Sequence, residues 1–321
     1  MKFLLTKELL SCAEKHGDIY TFITLAAKKQ FQIIVIEDEE KFEYFQRNFN
    51  QTVLKAILEK IKKDLKLFVT RKSKFFKISI TKDDHSITID EAIKLISQPF
   101  LVCMENNRND KNFLNFFSNK EQKSLLHELE TNLELSYWSG GGTGELKKKL
   151  ESDEFCNFNS YVFFDSDRLP FDAKTIQHAS QEIQKICLDK NIKYSLLQRR
   201  FIESYIPMKS LSGYVYQNRK NKKRYGKLFQ EFSSLNCNDT RHFYNMKIGI
   251  NGDVGRVGDK QKLIKTYFYN IPSSKIKFFD NGFGDKLSSV YEKEVSISEK
   301  MKDIEGWNEI NGIVKNILMV I

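Results

Sequence analysis

The sequence predicts an α/β fold. A mostly parallel sheet flanked by helices is expected over residues 98–321, with a helical C-terminal extension, and a separate α+β domain over residues 1–97. Three observations lead there. The chain has 321 residues, more than one core usually organises, so two domains are expected. From Phe100 onward short apolar runs alternate with amphipathic segments, the pattern of strands joined by covering helices. Before Pro99 the chain reads instead as α+β, a helix or strand into a strand, then a helical stretch, a strand pair and a helix, and the boundary is placed there.

In the first domain, FITLAAKKQFQIIVIED reads as helix or strand running into a strand, and KFEYFQRNFNQTVLKAILEKIKKDLKLF has apolar residues at helical spacing. A strand pair is expected around Phe75–Ile80 and Ser86–Ile89, then a helix over DEAIKLIS. In the second domain, FLVCME is a strand, DKNFLNFFSNKEQKSLLHELETN a helix and LELSYW a strand. GGGTGELKKKL is a glycine turn entering a helix. SYVFFD is a strand, TIQHASQEIQKICLDKN a helix and YSLLQ a strand, and RRFIESYIP opens the next helical piece. In open α/β sheets functional groups lie just beyond the carboxyl ends of the strands, so the acids there are the first candidates.

Composition narrows the function. The chain is 40% hydrophobic, with 26 Phe and 13 Tyr, enough for a packed core. Its apolar runs, Ile33–Ile36, Phe100–Met104 and Ile317–Ile321, fall far short of the roughly 20 residues that span a bilayer. No membrane role is expected. The N-terminus, MKFLLTKELLS, is too short in its apolar run for a signal peptide, so a cytoplasmic location is expected. Five scattered cysteines without a CxxC pair argue against a disulfide framework or a zinc knuckle. The five histidines show no metal-ligand spacing, His242 being the one least easily assigned to packing.

Charge is more specific: 52 Lys and Arg against 42 Asp and Glu give a net +10. Two stretches hold the surplus. Lys60–Lys77 has eight basic residues and one acid, and Tyr216–Lys227 has six basic residues and no acid, so the remainder is slightly acidic. Lys and Arg interleaved with Phe and Tyr suit phosphate contact and base packing, and Arg219, Lys220, Lys222, Lys223 and Arg224 are the candidate nucleic-acid contacts. Solvated helix faces would give the same composition.

The acids supply the chemistry. Glu105 ends the first strand of the second domain, and Asp165 and Asp167 end the third. Carboxylates at one sheet edge are a hard oxygen donor set of the kind Mg²⁺ or Mn²⁺ takes, although a DxD can also be a solvated turn or a helix cap. The series LVCMENNRNDKNFL, SGGGTGEL, VFFDSDR, LLQRRFIESYIP, HFYNMKIGINGD and GFGDKL, over residues 100 to 290, resembles the TOPRIM domain in the form found in OLD-family nucleases of bacterial antiphage defence. The resemblance implies a TOPRIM-like, Rossmann-like fold and a divalent-metal-dependent endonuclease. DNA is the favoured substrate and tRNA a possible one.

It further implies that Glu105 contacts a metal and aids proton transfer. Asp110, Asp165, Asp167 and Glu203 would complete the ligands of two Mg²⁺ or Mn²⁺ ions, and Lys247 would stabilise charge on the reacting phosphate. OLD-like enzymes join such a domain to an ABC-type ATPase. This sequence has no Walker lysine motif, so a separate ATPase partner is implied, and a homodimer would suit cleavage of two strands. The chain departs from the family pattern in two places. Asn106 stands where the family carries Gly, and a left-handed turn at Asn would replace it. The second acid is Asp110, one residue later than usual, and it can instead cap the following helix. Residue by residue, other readings stand beside these: Glu203 can pair with Arg199 or Arg200, Lys247 can be a surface lysine, and Gly140–Gly142 can be only a flexible turn. A catalytically weak TOPRIM-like binding or regulatory subunit is the alternative for the whole chain.

Overall fold

The computed structural model describes residues 2–28, 33–49, 52–59, 75–83, 86–152, 159–169, 178–235 and 238–321. It is an α/β structure with two four-stranded parallel sheets flanked by helices. The first sheet comprises β1 (Lys2–Leu5), β2 (Ile33–Ile36), β3 (Phe75–Ser79) and β4 (Ser86–Thr88), in the order β2-β1-β3-β4. The second comprises β5 (Phe100–Met104), β6 (Leu135–Ser139), β7 (Ser160–Phe164) and β8 (Lys193–Leu196), in the order β6-β5-β7-β8. The first sheet packs into one apolar cluster drawn from residues 3–96, and the second into two drawn from residues 100–321.

The parallel first sheet corrects the α+β expectation for residues 1–97. Leu5 pairs with both Ile36 and Ile78, and Ile78 with Ile87, all in parallel register. The helix His16–Lys28 crosses from β1 to β2 and buries Ile19, Phe22 and Ile23, so this segment is a βαβ unit. Closely spaced strand signals resemble a hairpin in sequence; strand direction is decided by which strand each one packs beside. The basic segment Lys60–Lys77 lies, up to residue 74, outside the described residues, as do Cys156 and Cys237.

In the second sheet the central strands β5 and β7 are almost wholly buried, which is why both read as uninterrupted apolar runs. Chain order reverses between them: β6 lies on one side of β5, and β7 and β8 lie on the other. Their carboxyl ends therefore flank the topological switch point, where open α/β sheets form their crevice. The single helix expected over residues 110–132 is two, Asn107–Phe117 and Lys120–Thr131. The break has a local cause: Asn119 caps the second helix in a reciprocal box with Gln122, ending one helix and starting another within two residues.

Beyond β8 the chain is helical. The last helix, Ile304–Val320, lays Trp307, Ile310, Val314 and Ile317 into the core shared with Phe113 and Phe117. Phe113 also packs edge-on against Tyr205 and Tyr291, at ring-centroid distances of 5.6 and 5.1 Å. These contacts join the C-terminal helices to the back of the crevice. Among the described residues no helix is long and apolar enough to cross a membrane.

Candidate active site

Glu105 follows β5 directly, and the helix behind it starts at once. Asn106 is the N-cap, extended at φ −134°, and its side chain accepts the Asn109 N–H. The left-handed turn expected at Asn106 is thus absent, because a capping side chain does the work that a glycine turn would do. Asp110, one helical turn on and buried, reaches back to accept the Asn106 N–H at 2.8 Å. It serves the helix start and also faces the crevice.

Asp165 follows β7. Its backbone N–H lies 3.4 Å from Glu105 Oε1, and its own Oδ1 accepts the Ile202 N–H at 3.1 Å. That second bond draws the short helical turn Ile202–Tyr205 over the strand ends and places Glu203, which is fully buried, beside them. The hydroxyl of buried Tyr291 donates to the Ile202 carbonyl and fixes the turn from the other side. The Tyr205 hydroxyl donates to Glu309 at 2.7 Å, tying the turn to the last helix.

Lys247 arrives from a distant segment. Residues 245–249 run so close to residues 280–284 that a Cβ at Gly282 would lie 2.4 Å from the Lys247 carbonyl carbon. One at Gly249, whose φ is +82°, would lie 2.5 Å from Asn281. The Phe283 N–H donates to the Met246 carbonyl and the Gly284 N–H to that of Lys247. GFGDKL therefore acts as a clamp on the lysine segment, a role the sequence reading did not assign. Lys247 Nζ lies 3.0 Å from Glu203 Oε1. Neither Glu203 oxygen has an aligned hydrogen-bond donor among the described residues.

The electrostatics follow from burial and crowding. Burial, reinforced by Asp167, raises the Glu105 pKa to about 7 against the pull of the Asp165 N–H and Lys247. Asp110 is raised to about 7, first by burial and then by Glu105 and Glu203, despite the Asn106 N–H. Asp165 is pushed well above the carboxylate range by burial and by Glu105, Asp110 and Glu203. For Lys247 burial disfavours the charge, yet Glu203, Asp165 and Asp110 outweigh it and hold its pKa above the usual value. Four carboxylates and one ammonium thus share a small, poorly solvated volume.

Asp167 behaves differently. Its backbone is left-handed, φ +58°, fixed by its N–H on the Arg200 carbonyl at 3.1 Å. Its carboxylate pairs with Arg256 at 3.0 Å. The two arginines offered as bland partners for Glu203 are both engaged elsewhere. Arg199 forms a two-pronged pair with Asp303, and Arg200 forms one with Asp253 in which both side chains are fully buried. Asp253, Arg256 and Tyr291, which hold Arg200, Asp167 and the Ile202–Tyr205 turn, were not singled out from the sequence. Only the GINGD segment, quoted for its family likeness, pointed near the first two.

Gly140–Gly142 bring Thr143 Oγ1 to 3.5 Å from Glu105 Oε2, with Gly141 and Gly142 both at positive φ. The helix Thr143–Glu151 starts there with no side-chain cap. His242, held neutral with its pKa lowered to about 4 by burial and by Arg199, lines a separate cavity of about 370 Å³ behind the Glu203 turn. Arg219, Lys220, Lys222, Lys223 and Arg224 form the exposed first turns of the helix Arg219–Ser233, with no carboxylate paired to them among the described residues. Tyr225 of that helix packs against the clamp, at 6.0 Å between its ring and that of Phe283.

Among the described residues no three Asp, Glu, His or Cys side chains are gathered closely enough to hold a metal ion. The donor chemistry nevertheless suits a hard divalent cation: every candidate ligand is a carboxylate, and among the described residues Lys247 is the cation that faces Glu203 and half-buried Asp165. The chain matches no protein-family model, no curated protein and no solved structure.

Proposed function

We propose that this protein is a divalent-metal-dependent nuclease that hydrolyses phosphodiester bonds, with DNA favoured over RNA. One observation carries the reading: buried Asp110 and Glu203 and half-buried Glu105 and Asp165 stand near Lys247 at the switch point of a parallel sheet, with three of them held near or above neutrality in pKa. Glu105, Asp165 and Glu203 would hold Mg²⁺ or Mn²⁺, with Asp110 beside them and Asp167 at the rim. Bound there, one or two ions would polarise the phosphodiester and lower the pKa of the attacking water.

The chain's own groups do the rest. In the metal-free chain burial and Asp167 raise the Glu105 carboxyl to about 7, so it takes up a proton there that an incoming cation would displace. The Lys247 ammonium, fixed by the glycine clamp, offers positive charge to a phosphate oxygen. The uncapped N–H groups opening the helix Thr143–Glu151 are donors of the kind phosphates accept. The exposed basic turn Arg219–Arg224 grips the flanking strand. In this reading the chain is the effector of an antiphage system, working with a separate ABC-type ATPase and as a homodimer where both strands are cut.

The test is cleavage of plasmid and single-stranded DNA, and of tRNA, in Mn²⁺ against EDTA, with Glu105→Gln and Asp165→Asn alongside. Metal-dependent cleavage that both variants lose is expected. No cleavage with or without a neighbouring ATPase, or full activity in Glu105→Gln, would refute the reading. A second reading has its own observation: Lys247 already neutralises Glu203, and no ready ligand trio is present among the described residues. A regulatory subunit that only binds nucleic acid fits that state, and it would bind equally well in EDTA, with affinity falling steeply as salt rises.

A further inference from the structure

We infer that Arg256 is an exchange residue for the substrate: it guards Asp167 until a divalent ion takes the carboxylate, and the freed guanidinium then binds a backbone phosphate. The inference rests on the metal reading of the carboxylates above and adds a residue to it. Arg256 donates to Asp167 twice, from one guanidinium nitrogen to Oδ1 at 3.0 Å and from the other to the main-chain carbonyl at 3.4 Å. Asp167 is the rim member of the set, two residues beyond Asp165, whose backbone N–H lies 3.4 Å from Glu105 Oε1. An ion drawn to Glu105 therefore has a direct electrostatic claim on Asp167.

The surroundings allow the carboxylate to change partner while the backbone stays in place. Asp167 is anchored in its left-handed conformation by its N–H on the Arg200 carbonyl. Arg200 in turn is locked to buried Asp253, which lies one turn before Arg256 on the same short helix, Asn251–Val257. The backbone of Asp167 and the base of Arg256 are thus referred to one rigid pair. The exchangeable contact itself is partly open, with the two side chains 21% and 32% exposed, so water and salt weaken it.

The chemistry of the two halves matches the two ligands. A carboxylate released from arginine is a hard oxygen donor for Mg²⁺ or Mn²⁺. A guanidinium released from carboxylate presents the planar fork that fits phosphate oxygens in pairs. Each ligand makes the other's site available, so metal and nucleic acid bind cooperatively, and by linkage the coupling is the same read from either side.

Binding tests this without cleavage. A fluorescent phosphorothioate oligonucleotide, which keeps its backbone charge and resists hydrolysis, is titrated into the full chain by anisotropy in EDTA and in Mn²⁺. Mn²⁺ affinity is read separately, without nucleic acid, by the loss of the free-ion electron paramagnetic resonance signal. The wild type is expected to bind the oligonucleotide about fivefold or more tighter with Mn²⁺. Arg256→Gln is expected to bind it as the wild type does in EDTA but to gain clearly less from Mn²⁺, keeping only what the ion itself contributes. Its Mn²⁺ affinity alone should rise about threefold, because Asp167 is no longer engaged. Arg256→Lys, which keeps charge without the fork, should recover only part of the gain, and an unchanged melting temperature in either variant certifies the fold.

Equal loss of oligonucleotide affinity in both buffers would make Arg256 an ordinary basic contact and overturn the inference. So would a metal-dependent gain in Arg256→Gln as large as that of the wild type. A wild type that takes up no Mn²⁺ at all would sink the metal reading, and the inference with it. A wild type that takes up Mn²⁺ while Arg256→Gln behaves identically would sink the inference alone.

Discussion

Replacing Asp110 by Asn should make the metal-free protein more stable, by an amount that depends on pH. Asp110 is buried, 7% exposed, and its pKa is raised from 3.8 to about 7 by burial and by Glu105 and Glu203. A carboxyl that ionises at a higher pH when folded than when unfolded stabilises the fold fully below its unfolded pKa. That stability is lost as pH rises through the folded value. Three pKa units at roughly 1.4 kcal/mol each give about 4 kcal/mol lost between about pH 4 and pH 7. Asn cannot ionise, and its amide oxygen can still accept the Asn106 N–H that Asp110 accepts at 2.8 Å, so the helix start is kept. The variant should gain up to about 4 kcal/mol at pH 8 and almost nothing near pH 4. Urea unfolding followed by Trp138 and Trp307, both in the second sheet's unit, should show a midpoint about 1 M higher at pH 8. If the ion binds here, saturating Mn²⁺ should stabilise the wild type and narrow the gap. A less stable Asp110→Asn at pH 8, or a gap that does not shrink toward pH 5, would refute the crowded-carboxylate account.

Three other outcomes follow from the same geometry. Asp253→Ala should cost about 3 to 5 kcal/mol by stranding the buried Arg200 charge, while Arg200→Met with Asp253→Leu should cost less than the single change; thermal melts decide this. Changing Arg219, Lys220, Lys222 and Lys223 to Gln should flatten the salt dependence of nucleic-acid binding, each lost phosphate contact removing roughly 0.9 from the log–log slope on duplex or 0.7 on single strand. Mn²⁺ uptake, measured apart, should not change. Tyr291→Phe should lower stability by about 1 kcal/mol by leaving the Ile202 carbonyl without its buried donor, and should weaken Mn²⁺ binding by loosening the Glu203 turn, both measurable by calorimetry.

Much of the second sheet was legible in the sequence. β5 and β7 lie buried at the centre, so their residues form unbroken apolar runs, and the acids that end those runs stand out. The basic helix was legible as well, because exposed charge leaves a local compositional mark. The first sheet was less so: β3 and β4 are close in sequence and read as a pair, but nothing local says that they run parallel. The break at Ser118–Asn119 was readable from its capping residues, yet the apolar periodicity on both sides concealed it.

By itself, then, the sequence determined where the strands run in the second sheet, which acids sit at their ends and where the positive surplus lies. These depend on neighbours a few residues away. Tertiary structure alone decided which cation meets which acid: Lys247 for Glu203, Arg256 for Asp167, Asp253 for Arg200 and Asp303 for Arg199. Those partners are 44 to 104 residues apart, and close-packed glycines at 249 and 282 set the position of one of them. A charge finds its partner by distance in space, and that distance is fixed by how the helices pack over the sheet.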